Sequence, residues 1–153
     1  MAWPGKSQIY AYTVLNSMNK GSSSIDFDAD AFKIALYGTG TPVNTGTTLV
    51  STEYGASWNT CTEVGNSGTY SATGSALTSP TSTQVGGNTW VFACSTANSW
   101  TGATITAYGA LIYSDTAAGK PGFCYLDFLG SQTVTGGTFT VTYAPNIAVI
   151  TLT

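Results

Sequence analysis

No histidine and no arginine occur in the 153 residues. Without histidine there can be no Ser-His-Asp or Cys-His catalytic arrangement, and no imidazole to complete a mixed zinc site. Charge of either sign is scarce, at 7% of residues against roughly 25% in ordinary globular proteins. The only cations are Lys6, Lys20, Lys33 and Lys120, scattered against seven carboxylates for a net charge of −3. Phosphate neutralisation needs clustered cations, so nucleic acid is not an expected partner. No stretch approaches the roughly 18 apolar residues of a spanning helix, so no membrane partner is expected either. The opening Met1-Ala2-Trp3-Pro4-Gly5-Lys6 is not followed by the apolar core of a secretory signal, so the chain is expected to be cytoplasmic at synthesis or a mature form. Cys61, Cys94 and Cys124 form no C-x-x-C pair. An odd count of this kind reads as three reduced, small apolar fillers.

What is present is material for β-sheet. The hydrophobic share is a normal 42%, so disorder is not the reason for the missing charge. Thr, Ser, Asn and Gly occupy the places that charges usually take. A surface of that kind can pack closely on a neutral wall or on copies of itself without desolvating many ions. The length suits one domain with a self-sufficient core.

Residues 1–24 read as an N-terminal segment with one short helix, a docking arm. Residues 25–153 read as the β-domain. Ile9, Tyr12, Leu15 and Met18 recur at three-residue steps within a helix expected from Ser7 to Lys20, with Ser7 as cap and Gly21 as stop. Phe32, Ile34 and Leu36 alternate with Lys33, Ala35 and Tyr37, which predicts a half-buried strand. Gly38 to Gly46 reads as a loop, Thr47 to Glu53 as a short strand, and Gly55 to Gly68 as irregular with Trp58 as an anchor. Two short strands are expected between Thr69 and Val85, with Pro80 favouring an edge.

Strands are then expected at Thr89 to Cys94, Thr104 to Tyr113, Gly122 to Phe128, Gly130 to Val134 and Ile147 to Leu152. Gly86-Gly87-Asn88 is a turn, and Ser95 to Gly102 is a loop holding Trp100. Gly136-Gly137, between two threonine-rich segments, is the strongest hairpin signal. Eight to ten short strands at this spacing predict an antiparallel β-sandwich, jelly-roll or Ig-like.

Chemistry is thin. There is no phosphate-binding G-x-x-x-x-G-K-[ST] loop. Asp115 and Asp127 are the one carboxylate pair to consider, and a turn and a solvent or interface position account for them. Asp26-x-Asp28-x-Asp30 has calcium-like spacing. An EF-hand loop would need Gly at position 31 and Glu at position 37, where this chain has Ala31 and Tyr37. Those charges read first as a solvated lead-in that discourages strand-edge aggregation, with a looser calcium loop as the alternative. No catalytic residue, metal ligand or cofactor is expected. Trp90 reads as core, whereas Trp3, Trp58 and Trp100 read as loop residues available for contact.

One set of motifs carries a likeness. Glu63-Val64, Gly68-Thr69-Tyr70, Trp90-Val91-Phe92 and Trp100 precede Ala103-Thr104-Ile105-Thr106-Ala107. Then come Ala110-Leu111-Ile112-Tyr113-Ser114-Asp115-Thr116, Gly119-Lys120-Pro121, Tyr125-Leu126-Asp127-Phe128, Gly137-Thr138-Phe139-Thr140-Val141 and a terminal Leu152-Thr153. In order and spacing this resembles small virion structural proteins of tailed bacteriophages, from about Ile25 onward. It departs from them at Ala107, near which relatives often carry arginine, and in Tyr143-Ala144-Pro145-Asn146.

The resemblance implies a non-enzymatic capsid-associated protein. A decoration protein on the head surface, bridging capsid subunits, is the leading expectation. The major capsid protein or another virion protein would be the partner, and the chain would be a homo-oligomer. Trp3, Pro4, Ile9, Tyr12, Trp58 and Trp100 are the candidate interface residues. A neck or tail protein is an alternative, and so is a carbohydrate-binding module using Trp58 and Trp100.

Overall fold

A computed structural model describes residues 8–21, 23–39, 54, 61–94, 97–143 and 146–151. The expected strand Thr47 to Glu53 and the candidate residues Trp3, Pro4 and Trp58 lie outside them. So does the Tyr12 side chain.

Two antiparallel sheets make up the fold. The larger runs β1 (Gln8–Ile9), β8 (Gly122–Val141), β7 (Asn98–Ser114), β2 (Phe32–Thr39) and β3 (Thr62–Glu63), with β4 (Ser75–Ala76) also on β2. The smaller holds β5 (Thr81–Val85), β6 (Thr89–Ala93) and β9 (Ala148–Thr151), with β6 in the centre. The turn at Gly86-Gly87-Asn88 joins β5 to β6 as the dipeptide glycines predict. Pro80 directly precedes the edge strand β5, where its missing N–H does no harm.

β2 and the second half of β7 are buried on both faces, which is why Ala107 to Tyr113 reads as an almost continuous apolar run. Phe32, Ile34 and Leu36 of β2, with Ile105, Ala110 and Ile112 of β7, face one core shared with Phe92 of β6 and Ala148 of β9. Alternate residues Ala35, Tyr37, Leu111 and Tyr113 face a second cluster with Tyr10, Cys61 and Tyr125. The first core is aromatic where the sheets meet. Ring centroids of Phe32 and Phe92 are 4.8 Å apart, and those of Phe92 and Phe123 are 5.3 Å apart in an edge-on arrangement.

β7 and β8 form one hairpin running from Asn98↔Val141 to Tyr113↔Gly122. The strand expected from Thr104 therefore starts at Asn98, and Trp100 lies in it rather than in a loop. Gly136-Gly137 does not reverse the chain. Gly102 and Gly136 have φ of 61° and 62°. Each inserts one extra residue on its own strand, around the pairs Trp100↔Phe139, Ala103↔Gly137 and Ile105↔Val134. The two bulges cancel and the register resumes. A glycine with positive φ serves a bulge as well as a turn. Here the long β7 partner decides between them.

The N-terminal segment belongs to the same body as the rest of the described chain. Gln8 and Ile9 pair with Tyr125 and Cys124, and Tyr10 N–H donates to the Phe123 carbonyl at 2.9 Å. The helix α1 is shorter than expected, Ala11–Met18. Its Thr13 is buried and donates its hydroxyl to the Gly122 carbonyl at 2.6 Å. Ser17 bridges the Thr13 carbonyl and the Ile25 N–H. With those hydroxyls satisfied, the helix turns its Thr13, Val14 and Ser17 side inward. Leu15 and Met18, part of the apolar face expected on the docking arm, stand 53% and 78% exposed.

Candidate docking surface

Asp26, Asp30 and Asp115 are committed to structure. Asp26 accepts from the N–H groups of Asp28 and Ala29, and Asp30 accepts from Asp26 N–H and the Ser114 hydroxyl. This is a side-chain-bonded turn leading into β2. Among the described residues no cluster of His, Cys, Asp or Glu could hold a metal ion. Asp115 is paired with Lys120 at 2.7 Å and Lys33 at 2.9 Å. Partial burial pushes its carboxyl up, but the bonds to both lysines outweigh that and hold it below the usual range.

Asp127 is not a solvent position. It is buried and accepts from Leu129 N–H at 2.7 Å. It stands opposite Gly109, and Asp115 lies six residues beyond Gly109. That separation is roughly 20 Å along the strand, too far for a hydrolytic carboxylate pair. None of the three cysteines is in a disulfide, and burial pushes the Cys124 thiol well above its ordinary value. It is therefore a filler rather than a nucleophile.

A tyrosine network surrounds Glu63 on the second face of the large sheet. Tyr54 and Tyr70 donate to its carboxylate at 2.6 and 2.9 Å, and Thr73 N–H donates at 2.7 Å. Tyr70 hydroxyl also accepts from the buried Leu36 N–H. Tyr113 donates to the Thr73 carbonyl at 2.6 Å, and its ring stacks on Tyr54 at 4.3 Å. The arrangement fastens β2, β3, β7 and the turn before β4, and it leaves Glu63 bonded on three sides.

Burial pushes the Tyr10, Tyr37, Tyr70 and Tyr113 phenols well above their ordinary value, with Glu63 adding to the effect at Tyr37, Tyr70 and Tyr113. In the unfolded chain these phenols ionise near pH 10. The unfolded state thus holds fewer protons than the folded state above that pH, and stability falls as pH rises. The contribution is complete below about pH 10. Phenolate absorbance from the buried tyrosines and loss of the β-sheet circular dichroism signal are expected together, in one step above pH 10. Titration of these tyrosines without unfolding would show that they are open to water.

An open apolar cleft lies elsewhere. It measures about 590 Å³ and runs between α1, the Ile25–Phe27 segment and the end of the small sheet. Val14, Met18, Ile25, Phe27, Trp90 and Ile150 provide its apolar lining. Phe27 forms its floor, with ring centroids 5.1 Å from Trp90 and 5.0 Å from Phe123. Trp90 is held by its indole N–H, which donates to Ser82 Oγ at 2.8 Å. Exposed Leu15 lies one turn of α1 from the cleft residue Met18. The cleft therefore suits an apolar side chain of a macromolecular partner.

Of the sequence candidates, Ile9 is partly buried against the core. Trp100 is 2% exposed and donates its indole N–H to Ser75 Oγ at 2.7 Å. It is packed edge-on to Tyr70 at 5.3 Å and cannot present a face to a partner. Leu15 and Met18 were visible in the sequence as part of the apolar face of the N-terminal docking arm. Phe27 was hidden between two aspartates, and the alternation of Trp90 with Phe92 marked only a core strand.

The chain matches no family model, no curated protein and no solved structure.

Proposed function

We propose that the chain is a non-enzymatic structural protein of a tailed-phage virion. In this reading it is a capsid decoration protein on the head surface that bridges capsid subunits. The observation that carries it is the outward turn of Leu15 and Met18 beside the Phe27–Trp90 cleft. An apolar surface on an otherwise almost uncharged protein suits burial against another protein. Contacts of this size are weak singly and gain strength when repeated over a lattice. The resemblance of the Ala103 to Thr153 region to small phage virion proteins points the same way.

The two sheets are read as the layers of a β-sandwich, jelly-roll or Ig-like. This rests on the Phe32, Phe92 and Phe123 contacts between them. The major capsid protein is the proposed partner, and the capsid surface the proposed location. A glycan-binding module is less well supported, because one of its two aromatic platforms, Trp100, is buried.

The test is the copy number of the protein in purified particles of its source virus, by quantitative mass spectrometry against the major capsid protein. On the order of hundreds of copies per particle is expected for a lattice protein. A dozen or fewer moves it to the neck or tail, and absence removes the virion reading.

A further inference from the structure

Among the described residues, β8 is bordered on the side away from β7 only near its start, where β1 meets Tyr125 and Cys124. Among the described residues no strand pairs with it on that side from Asp127 to Val141. Protected edges usually carry charges, prolines or bulges. From Gly130 to Tyr143 there is no charged residue and no proline. Bulges interrupt the strand around Leu129–Gly130 and at Gly136, but beyond Gly136 it runs regularly. Thr138 and Thr140 are exposed there, while Phe139 and Val141 point into the core. An open groove of about 450 Å³ lies along the strand, lined by Gln132, Val134, Thr138, Phe139 and Thr140 among others.

We propose that this edge pairs with the same edge of a second copy, antiparallel about a two-fold axis at Thr140. Two features favour a copy of this chain over a foreign strand. The segment is uncharged, so it meets no like-charge repulsion from itself. Its alternation is also symmetric about Thr140. Thr138 would face Thr142 of the second copy, and Phe139 would face Val141, so threonine meets threonine outside and apolar meets apolar inside. The large sheets of two molecules would become one continuous sheet. The contact is isologous and closes at a dimer. A strand this short buries less than a standard interface of about 1,600 Å², so pairing in dilute solution is weak and reversible.

Sedimentation velocity over a rising concentration series tests the proposal. The wild-type chain is expected to pass from monomer to dimer. Thr140→Lys and Thr140→Glu each place like charges opposite one another at the two-fold axis, and each should weaken dimerisation at least tenfold. An equimolar mixture of the two should dimerise again. Circular dichroism of each variant checks that it folds. Should Thr140→Lys fail to fold, Thr138→Lys at the neighbouring exposed position is expected to weaken pairing in its place. A wild-type chain that stays monomeric, variants that dimerise like wild type, or species that grow beyond a dimer would each overturn the proposal. None of these readings depends on the virion assignment.

Discussion

Replacing Trp100 by alanine is expected to cost about 3–5 kcal/mol of folding stability, a large part of the roughly 5–15 kcal/mol of a domain. The indole is 2% exposed and contacts Tyr70 at 5.3 Å and Phe139 at 6.2 Å. Truncation would leave a cavity at the junction of β7, β8 and β4, because the paired backbones on either side cannot collapse into it. It would also leave the Ser75 hydroxyl without its indole donor. Trp100→Phe retains most of the packing and should cost much less. Urea denaturation of both variants checks the ranking. An alanine variant as stable as wild type, with reduced polysaccharide affinity, would mean that the indole is an exposed contact residue after all.

Replacing Gly74 by alanine is expected to be among the most damaging changes of a single methyl group. Gly74 has φ of 77°, and a Cβ there would lie 2.2 Å from the Ile34 carbonyl oxygen. Left-handed backbone alone costs about 1–2 kcal/mol for a residue with a Cβ. The contact adds to this, since the obstacle is backbone of the central strand β2 and cannot swing aside. Relief requires β4 to lift from β2, where Ser75 and Ala76 pair with Ile34 and Lys33. That movement would pull Ser75 from Trp100 and Thr73 from both Glu63 and Tyr113. The losses are therefore coupled. Thermal unfolding of Gly74→Ala should show a fall in Tm well beyond that of Gly65→Ala, where nothing lies within 4 Å of the added Cβ. Equal shifts at the two positions would rule out the close approach.

The β-rich class, the strands Phe32 to Tyr37 and Thr89 to Cys94, and the turn at Gly86-Gly87-Asn88 are local matters. Alternation and glycine placement reveal them without knowledge of neighbours. The candidate surface was less legible. The spacing of Leu15 and Met18 marked an apolar face on the docking arm, but not the Thr13 and Ser17 bonds to carbonyl and N–H partners that turn the other side of α1 inward. Trp100 looked like a loop residue because Gly102 resembles the end of a loop. The structure makes that glycine a bulge and keeps the strand going on both sides of it.

By its sequence alone the chain was bound to be β-rich, weakly charged and without histidine chemistry, because composition and period-two patterning act through each residue's own preferences. Tertiary structure decided whether Gly136-Gly137 turns or bulges, which side of α1 faces inward, and that Trp100 is buried. Those outcomes depend on what lies across the sheet from each residue. A glycine with positive φ permits a turn and a bulge equally, and only the 17-residue partner strand β7 selects the bulge.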